Sequence, residues 1–519
     1  MASAILSFFV AFAVSSIAAP LFGRLALRLG VVDAPDGRRK LHGRNVPLTG
    51  GPTILITSAI AVAITLWIYP SLLAGTNYDK RFLGFLFAAG CVIVGIGLID
   101  DRFGMRGRQK LAGQIIAAAI MLPAGIIIEK VTVFGMLISF GDFAPVVTML
   151  VLVGAINALN LIDGVDGLAS TTGIILALSM AAVSFIYGRP DGQLIALILA
   201  GALSGFLIYN FPPARMFLGD SGSMLIGLML GAIALKCSIK HYAAATLLMP
   251  TAIWAIPLFD VLMAIVRRKL TGRSIYETDR GHLHHCLERR GISGAKLLVI
   301  IAGLCSITGA AAILASLWKN DLIAAVGIVT ALSLLVLTRS FGHTEMSLLS
   351  TRFKRLSGSM LKRAAPMETV MHDEKIQLNG NRDWQRLWLT LTEFAKRFNM
   401  DAVQLMVHLP QIDEAYHASW KKNSNTDVHE TWKSSIPLIV NDMNVGHIHV
   451  TGAVGEGSIC KWMSDLIGGL EAFEAELIAL INDVRDEHKQ SSPSGILEAP
   501  ANDSASSVGT GSTPELLLQ

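Results

Sequence analysis

The chain has 519 residues, 52% of them hydrophobic and only 16% charged, and its mean hydropathy is +0.54. A soluble globular protein carries about 25% charged residues, so a wholly soluble chain is excluded. The formal net charge of +4 is too small to suggest nucleic acid. Five cysteines (Cys91, Cys237, Cys286, Cys305, Cys460), odd in number and without CxxC spacing, indicate neither a disulfide framework nor a cysteine metal site.

Long uncharged runs recur at about 1–23, 49–70, 82–99, 111–128, 143–162, 167–188, 192–214, 221–235, 241–259, 297–318 and 322–338. Most are long enough to cross a hydrocarbon core of ~30 Å, where helices satisfy their own backbone groups. The pattern predicts an all-α polytopic membrane domain over 1–340 with about eleven transmembrane helices. The run at 221–235 is short and needs tilt or its flanks. The first run ends near Ala18, Ala19 and Pro20, but no Lys or Arg precedes it and two follow. It therefore reads as a retained helix and not a cleaved signal peptide.

Basic residues set the orientation. With the N-terminus outside, the inner loops hold nineteen Lys and Arg residues, among them Arg38, Arg39, Lys40, Arg102, Arg106, Arg267 and Arg268, against seven in the outer loops. This places the C-terminal region in the cytoplasm.

After Thr338 the composition becomes that of a soluble protein. Residues 341–380 read as a linker with a basic juxtamembrane stretch (Arg352, Lys354, Arg355, Lys362, Arg363). Residues 381–490 read as a small cytoplasmic α+β domain of unknown role. A helical face carries Trp384, Leu387, Trp388, Leu391, Phe394, Ala395 and Phe398. Strands follow near 402–408, 415–420, 432–440 and 445–452, then a helix near 457–487. The order is similar to that of GAF-like sensory domains. His447 and His449 alternate with Ile448 and Val450, as a solvated sheet face does. The tail 491–519 is predicted to be disordered.

Acidic and amide residues of the membrane portion gather at one set of helix ends. Asp100 and Asp101 end the third run. Asn157, Asn160, Asp163 and Asp166 lie between the fifth and sixth. Asn210 and Asp220 flank the next inner loop, and His282, His284 and His285 lie between the ninth and tenth runs. Carboxylates at a bilayer interface are costly unless paired, hydrated or metal-bound. Capping of single helices does not require the same side each time, so four such clusters on one face point to a site. Oxygen ligands from Asp and Asn suit a hard cation such as magnesium. The histidines, without cysteine and amid Arg273, Arg280, Arg289 and Arg290, suit a diphosphate-binding loop better than zinc. Asp260, in PLFDV, reads as structural, with Arg267 or Arg268 as its partner.

The stretches IDDRFGMRGRQK (99–110), NALNLIDGVDGLA (157–169), NFPPARMFLGDSGS (210–223) and RRKLTGRSIYETDRGHLHH (267–285) resemble the polyprenyl-phosphate N-acetylhexosamine-1-phosphate transferase family, and RRKLHGRNVPLTGG (38–51) matches its first loop. The resemblance covers about 1–340. It implies that Asn160 and Asp220 hold magnesium, with manganese as a substitute. It implies that Phe217 stacks on uracil, that Asn210 contacts the nucleoside, and that Asp163 and Asp166 serve the metal shell and nucleoside. Lys110 and, more weakly, Lys40 match phosphate-binding lysines. Asp100 and Asp101 match a pair that engages the lipid phosphate, and His282, His284 and His285 match the histidine motif near the diphosphate.

The loop DRGHLHH (279–285) has the form of the UDP-N-acetylglucosamine branch. The expected reaction therefore moves N-acetylglucosamine-1-phosphate, or a related HexNAc-1-phosphate, from its UDP-sugar to undecaprenyl phosphate, with release of UMP. It would start a cell-envelope polysaccharide at the cytoplasmic face of a bacterial inner membrane. The implied partners are the UDP-HexNAc donor, the polyprenyl-phosphate acceptor, the bilayer, a homodimer mate, and an unidentified partner or ligand for residues 381–490. Phospho-N-acetylmuramoyl-pentapeptide transfer is the alternative. A secondary transporter is the rival of another class, disfavoured because transporters place polar sites near the bilayer midplane.

Overall fold

The computed structural model describes residues 2–33, 45–70, 79–133, 136–238, 245–246, 248–270, 281–343, 346, 372–379, 384–398, 400–409, 414–422, 431–440, 443–453, 473 and 477–479. Lys40, Arg273, Arg280, the basic stretch at 352–363 and the tail at 491–519 lie outside them. The chain divides into two compact units, Met1–Arg363 and Ala364–Gln519.

The first unit is a helical bundle. Its elements are α1 (Ala2–Leu29), β1 (Val32–Asp33), β2 (Val46–Pro47), α2 (Gly50–Ile68), α3 (Lys80–Phe103), α4 (Gly107–Met121), β3 (Lys130–Val133), β4 (Met136–Ser139), α5 (Ala144–Ile162) and α6 (Leu168–Ile186). There follow α7 (Pro190–Asn210), α8 (Gly219–Ser238), β5 (Ala245–Thr246), α9 (Leu248–Ile253), α10 (Ala255–Leu270), α11 (Leu283–Glu288), α12 (Gly294–Trp318) and α13 (Asp321–Leu337). Among the described residues, eight helices are long and apolar enough to cross a membrane: α1, α2, α3, α5, α6, α7, α8 and α12. The chain is a multi-pass membrane protein.

Two predicted segments take a different form, and a third is longer than its apolar run. The run at 111–128 is helical only to Met121, where a 3-10 turn over Leu122–Ala124 contains Pro123, and Gly125 follows with φ +73°. Proline has no amide hydrogen to donate and glycine readily takes positive φ, so the helix stops there. The run at 241–259 is not one helix either. It holds β5, then α9, then α10, which continues past the run to Leu270. The short run at 221–235 gains its length from its flanks, and α8 spans 20 residues.

Helix α8 is the centre of the bundle, with α2, α3, α5, α6 and α7 packed around it. Its side chains from Ser221 to Ile233 are all buried. Helices in lipid gain little from hydrophobic contrast, so close backbone approach through small residues matters more. A Cβ on Gly97 of α3 would lie 2.2 Å from Ser221 Cα on α8. Gly201 and Gly205 of α7 meet the Phe8 and Phe12 carbonyls of α1 in the same way. At the other end of α3, Asp79 accepts from the Arg81 and Phe82 amides and binds Lys236 of α8 at 2.5 Å.

The second unit has a five-stranded antiparallel sheet ordered β6-β8-β7-β10-β9: β6 (His372–Asn379), β7 (Ala402–Leu409), β8 (Glu414–Lys421), β9 (Thr431–Val440) and β10 (Met443–Ala453). Helix α14 (Gln385–Arg397) follows Trp384, and Trp384, Leu387, Trp388 and Leu391 are buried with Val403, Leu405, Trp420 and Ile448 in one core. The four predicted strands match β7 to β10. Strand β6 falls in the segment read as linker. Its sequence, HDEKIQLN, is mostly polar because it is an edge strand, and polar edges are hard to read from hydrophobic alternation. Of the predicted last helix only Phe473 and residues 477–479 are described, and Phe473 and Leu477 belong to the core. His447 and His449 stack at 6.3 Å on the side of β10 away from Ile448 and Val450.

Candidate active site

The C-terminal ends of α3, α5, α7 and α10 and the N-terminal ends of α4, α6 and α8 meet at one end of the bundle. Helix α3 ends at Gly104 (φ +68°), whose amide donates to the Asp100 carbonyl, and α4 starts three residues later. That tight turn brings Asp100 and Lys110 to the same level. The Met105 amide donates to Asp100 Oδ1 at 2.7 Å, and Lys110 Nζ lies 3.1 Å from Asp100 Oδ2. The same ammonium lies 2.9 Å from Asp220 Oδ2 on α8, so Lys110 bridges two carboxylates.

Asp220 is held on its other side by α5. Asn160 Nδ2 donates to Asp220 Oδ1 at 2.5 Å and to Ser223 Oγ at 3.0 Å. Asp101 reaches across from α3, where Oδ1 accepts the Asp220 amide at 2.7 Å and Oδ2 the Ser221 amide at 3.2 Å. These are unsatisfied donors of the first turn of α8, so Asp101 caps that helix from another one. Gly97, one turn earlier, permits the approach. Gly219, at φ +71°, is a second requirement, since a Cβ there would sit 2.7 Å from Asp101 Oδ2. The resemblance placed Asp101 at the lipid phosphate, yet both its oxygens are committed to α8.

The loop 211–218 is fixed at three points. Asn210 accepts from Ser170 Oγ at 2.8 Å and donates to the Met216 carbonyl at 2.9 Å. Asp166 Oδ2 accepts the Ala214 amide at 2.9 Å. Phe217 forms an isolated parallel bridge with Leu48, with Phe217 N donating to Pro47 O and Thr49 N to Phe217 O. Phe217 is half-buried. Asn210 is only 3% exposed, so its amide shapes this loop from inside, whereas the resemblance assigned it a nucleoside contact.

The histidine loop reaches the same place. A Cβ on Gly164 would lie 2.4 Å from His284 Nε2, which sets the imidazole directly over the turn after Asp163. Burial first, and then the neighbouring His285, pull His284 down to about 4, so the ring is neutral near pH 7. His285 Nδ1 lies 3.2 Å from Glu288 Oε2 and 4.2 Å ring to ring from His284. His282 is buried against Asp260, with Nδ1 3.0 Å from Oδ2. The sequence suggested an arginine for Asp260; the structure gives it His282 and the Leu283 amide. Asp100, Asp101, Lys110, Asn160, Asp163, Asp220 and His284 thus converge. Lys40 lies outside the described residues.

Asp163 carries the electrostatic signature of the site. Burial first, then the charges of Asp220, Asp101 and Asp166, raise its carboxyl well above the ordinary range. The Lys110 ammonium, paired with Asp100 and Asp220, opposes that rise. The carboxylates of Asp220 and Asp163 and the amide oxygen of Asn160 are hard oxygen donors, the type that magnesium takes. Among the described residues no group of three or more His, Cys, Asp or Glu side chains is placed to hold a metal ion. Magnesium keeps waters and substrate phosphates in its shell and needs only one or two protein carboxylates.

A residue that sequence reasoning passed over is Gln114, one turn after Lys110 on α4 and 1% exposed. It exchanges hydrogen bonds with Asn157 of α5, at 2.6 and 3.3 Å. This reciprocal amide pair ties the helix bearing Lys110 to the helix bearing Asn160. A lone polar residue within the apolar run 111–128 was its signal. Gln114→Leu is expected to cost about 1–3 kcal/mol by leaving Asn157 half-paired, and to lower turnover about tenfold. Gln114→Leu with Asn157→Leu should recover much of the thermal stability and none of the turnover. A double variant of wild-type activity would refute the positioning role.

The sequence profile of glycosyl transferase family 4 matches residues 83–238. The chain is 37% identical over 302 residues to the decaprenyl-phosphate N-acetylglucosaminephosphotransferase of Mycobacterium tuberculosis, covering 53% of this chain and 74% of that protein. It is 29% identical over 299 residues to a probable undecaprenyl-phosphate N-acetylglucosaminyl 1-phosphate transferase of Bacillus subtilis, covering 57% and 80%. A phospho-N-acetylmuramoyl-pentapeptide-transferase of Desulforudis audaxviator is 30% identical over 315 residues, covering 56% and 91%.

Proposed function

The chain belongs to glycosyl transferase family 4 and transfers N-acetylglucosamine-1-phosphate to a polyprenyl phosphate; we propose that the donor is UDP-N-acetylglucosamine, the acceptor undecaprenyl phosphate and the second product UMP. In this reading eleven helices cross a bacterial inner membrane, the three shorter helices α4, α10 and α13 included, and the site faces the cytoplasm. The supporting observation is Lys110 held between Asp100 and Asp220, with Asn160, Asp163 and His284 around it.

The acceptor is a phosphate monoester, whose second pKa of about 6 leaves it largely dianionic near neutrality. It needs little help from a base, and the harder task is to bring it against a diphosphate. Magnesium, when bound to Asp220 and Asn160, supplies charge neutralisation for the diphosphate. The Lys110 ammonium is a movable positive charge that can turn from its two carboxylates toward a phosphate oxygen. Asp101 fixes the first turn of α8 and with it the place of Asp220. Asn210 and Asp166 hold loop 211–218 so that Phe217 presents its ring to uracil. His284, being neutral, acts as a hydrogen-bonding group over the Asp163 turn and not as a counter-charge. Asp100 orients Lys110 and would engage the acceptor phosphate. Lys40, Arg273 and Arg280 would add further phosphate contacts, whereas Arg290 is bonded to the Thr338 and Arg339 carbonyls and to Ser340 Oγ.

The test is to incubate membranes containing the protein with undecaprenyl phosphate, magnesium and either UDP-N-acetylglucosamine or the UDP-muramoyl-pentapeptide donor. UMP release with formation of a lipid-linked N-acetylglucosamine is the expected result. Preference for the muramoyl donor would overturn the assignment of the sugar.

A further inference from the structure

The buried carboxylate of Asp260 is left without a part in that chemistry. Asp260 of α10 is 1% exposed, in a helix that is otherwise apolar until Arg267. A carboxylate so placed is costly unless its oxygens are hydrogen-bonded. Both are. Oδ2 lies 3.0 Å from His282 Nδ1, and Oδ1 accepts the Leu283 amide at 2.8 Å. The second bond prevents the carboxylate from rotating away from the imidazole. His282 is itself 5% exposed, so the two side chains form a dry pair joining α10 to the start of α11.

The pair leads to the reacting centre. The His282 ring is parallel to that of His284, with centroids 6.0 Å apart and planes 5° from parallel. His284 in turn packs on Gly164, beside Asp163. An ionised carboxylate can only accept a hydrogen bond, so Nδ1 of His282 must carry the proton. That leaves Nε2 as the nitrogen that can meet substrate.

We propose that Asp260 is a positioning residue for the transfer, holding His282 in the tautomer and orientation that present Nε2 to the donor diphosphate. With a proton taken up from water at Nε2, His282 donates to a phosphate oxygen while Asp260 balances the imidazolium charge, and the proton returns to water when the nucleotide product leaves. The proposal rests on the transferase reading above.

Asp260→Asn preserves shape and can still accept the Leu283 amide, but its NH2 group would donate to Nδ1 and force the opposite tautomer. Turnover is expected to fall about 10–100-fold, with the donor KM changed less than about threefold. His282→Gln should cost as much alone as in combination with Asp260→Asn, because the two residues act as a unit. Losses that multiply, or an Asp260→Asn enzyme with wild-type kcat, would overturn the proposal. A thermal unfolding curve for each variant separates positioning from folding. If Asp260→Asn does not fold, Asp260→Glu, which keeps two acceptor oxygens on a longer stem, carries the same non-additivity test with His282→Gln. Absence of N-acetylglucosamine-1-phosphate transfer by the unmodified protein would instead remove the functional reading itself.

Discussion

Asp220→Ala is expected to abolish cation-dependent turnover, lowering kcat by about 10³-fold or more, equivalent to about 4 kcal/mol of barrier. Four groups meet at this carboxylate: Lys110, Asn160, and through its own amide Asp101, with Asp163 close enough to feel its charge. Removing it would take away a cation ligand and release Lys110 to Asp100 alone. A second readout follows from Asp163. Its folded-state carboxyl is raised, so its contribution to stability is present below the unfolded value and is lost as pH rises through the folded one. A divalent cation reverses that loss by favouring the ionised form. Magnesium should therefore raise the unfolding temperature more as pH rises, and Asp220→Ala should remove most of that increment. An active Asp220→Ala enzyme, or a magnesium effect on stability that survives the substitution, would take Asp220 out of the site.

Lys110→Met should slow transfer by about 10²–10³-fold while tightening the binding of magnesium or manganese by about tenfold. The two effects have opposite signs for one reason. The ammonium sits 2.9 Å from Asp220 and 3.1 Å from Asp100 and so competes for the same negative charge that a divalent ion would use. Without it the carboxylates bind the ion more strongly, yet the phosphates lose the charge that moves between them. Lys110→Arg should not restore the rate, because a planar guanidinium does not substitute for a compact ammonium between two carboxylates. The measurements are steady-state transfer and manganese titration on the solubilised protein. Weaker ion binding in Lys110→Met would contradict the competition described here.

The regions of the chain differ in how much of their structure is local. Runs such as 82–99 and 297–318 are legible because membrane insertion depends on summed hydrophobicity along a segment. The run 241–259 misleads for the same reason: apolar content alone does not separate a strand, a short helix and the start of a longer helix. Strand β6 escapes notice because its sequence, HDEKIQLN, lacks the apolar alternation that marks a strand, and its pairing with β8 is a matter of the fold.

The chemistry of the site followed from residue type. Aspartates, amides and histidines recurring at the ends of apolar runs already implied an anionic, oxygen-rich centre, because polar groups beside a bilayer are costly unless they are used. Their division of labour was decided only by the tertiary structure. Asp100 and Asp101 are adjacent in sequence, but successive residues of a helix point about 100° apart, so one meets Lys110 and the other the amides of α8. Asn210 turned inward because Ser170 and the Met216 carbonyl lie behind it. Asp260 found His282, 22 residues further along, where sequence suggested an arginine. Hydrogen bonds act over about 3 Å in space, and no separation along the chain predicts which groups will come that close.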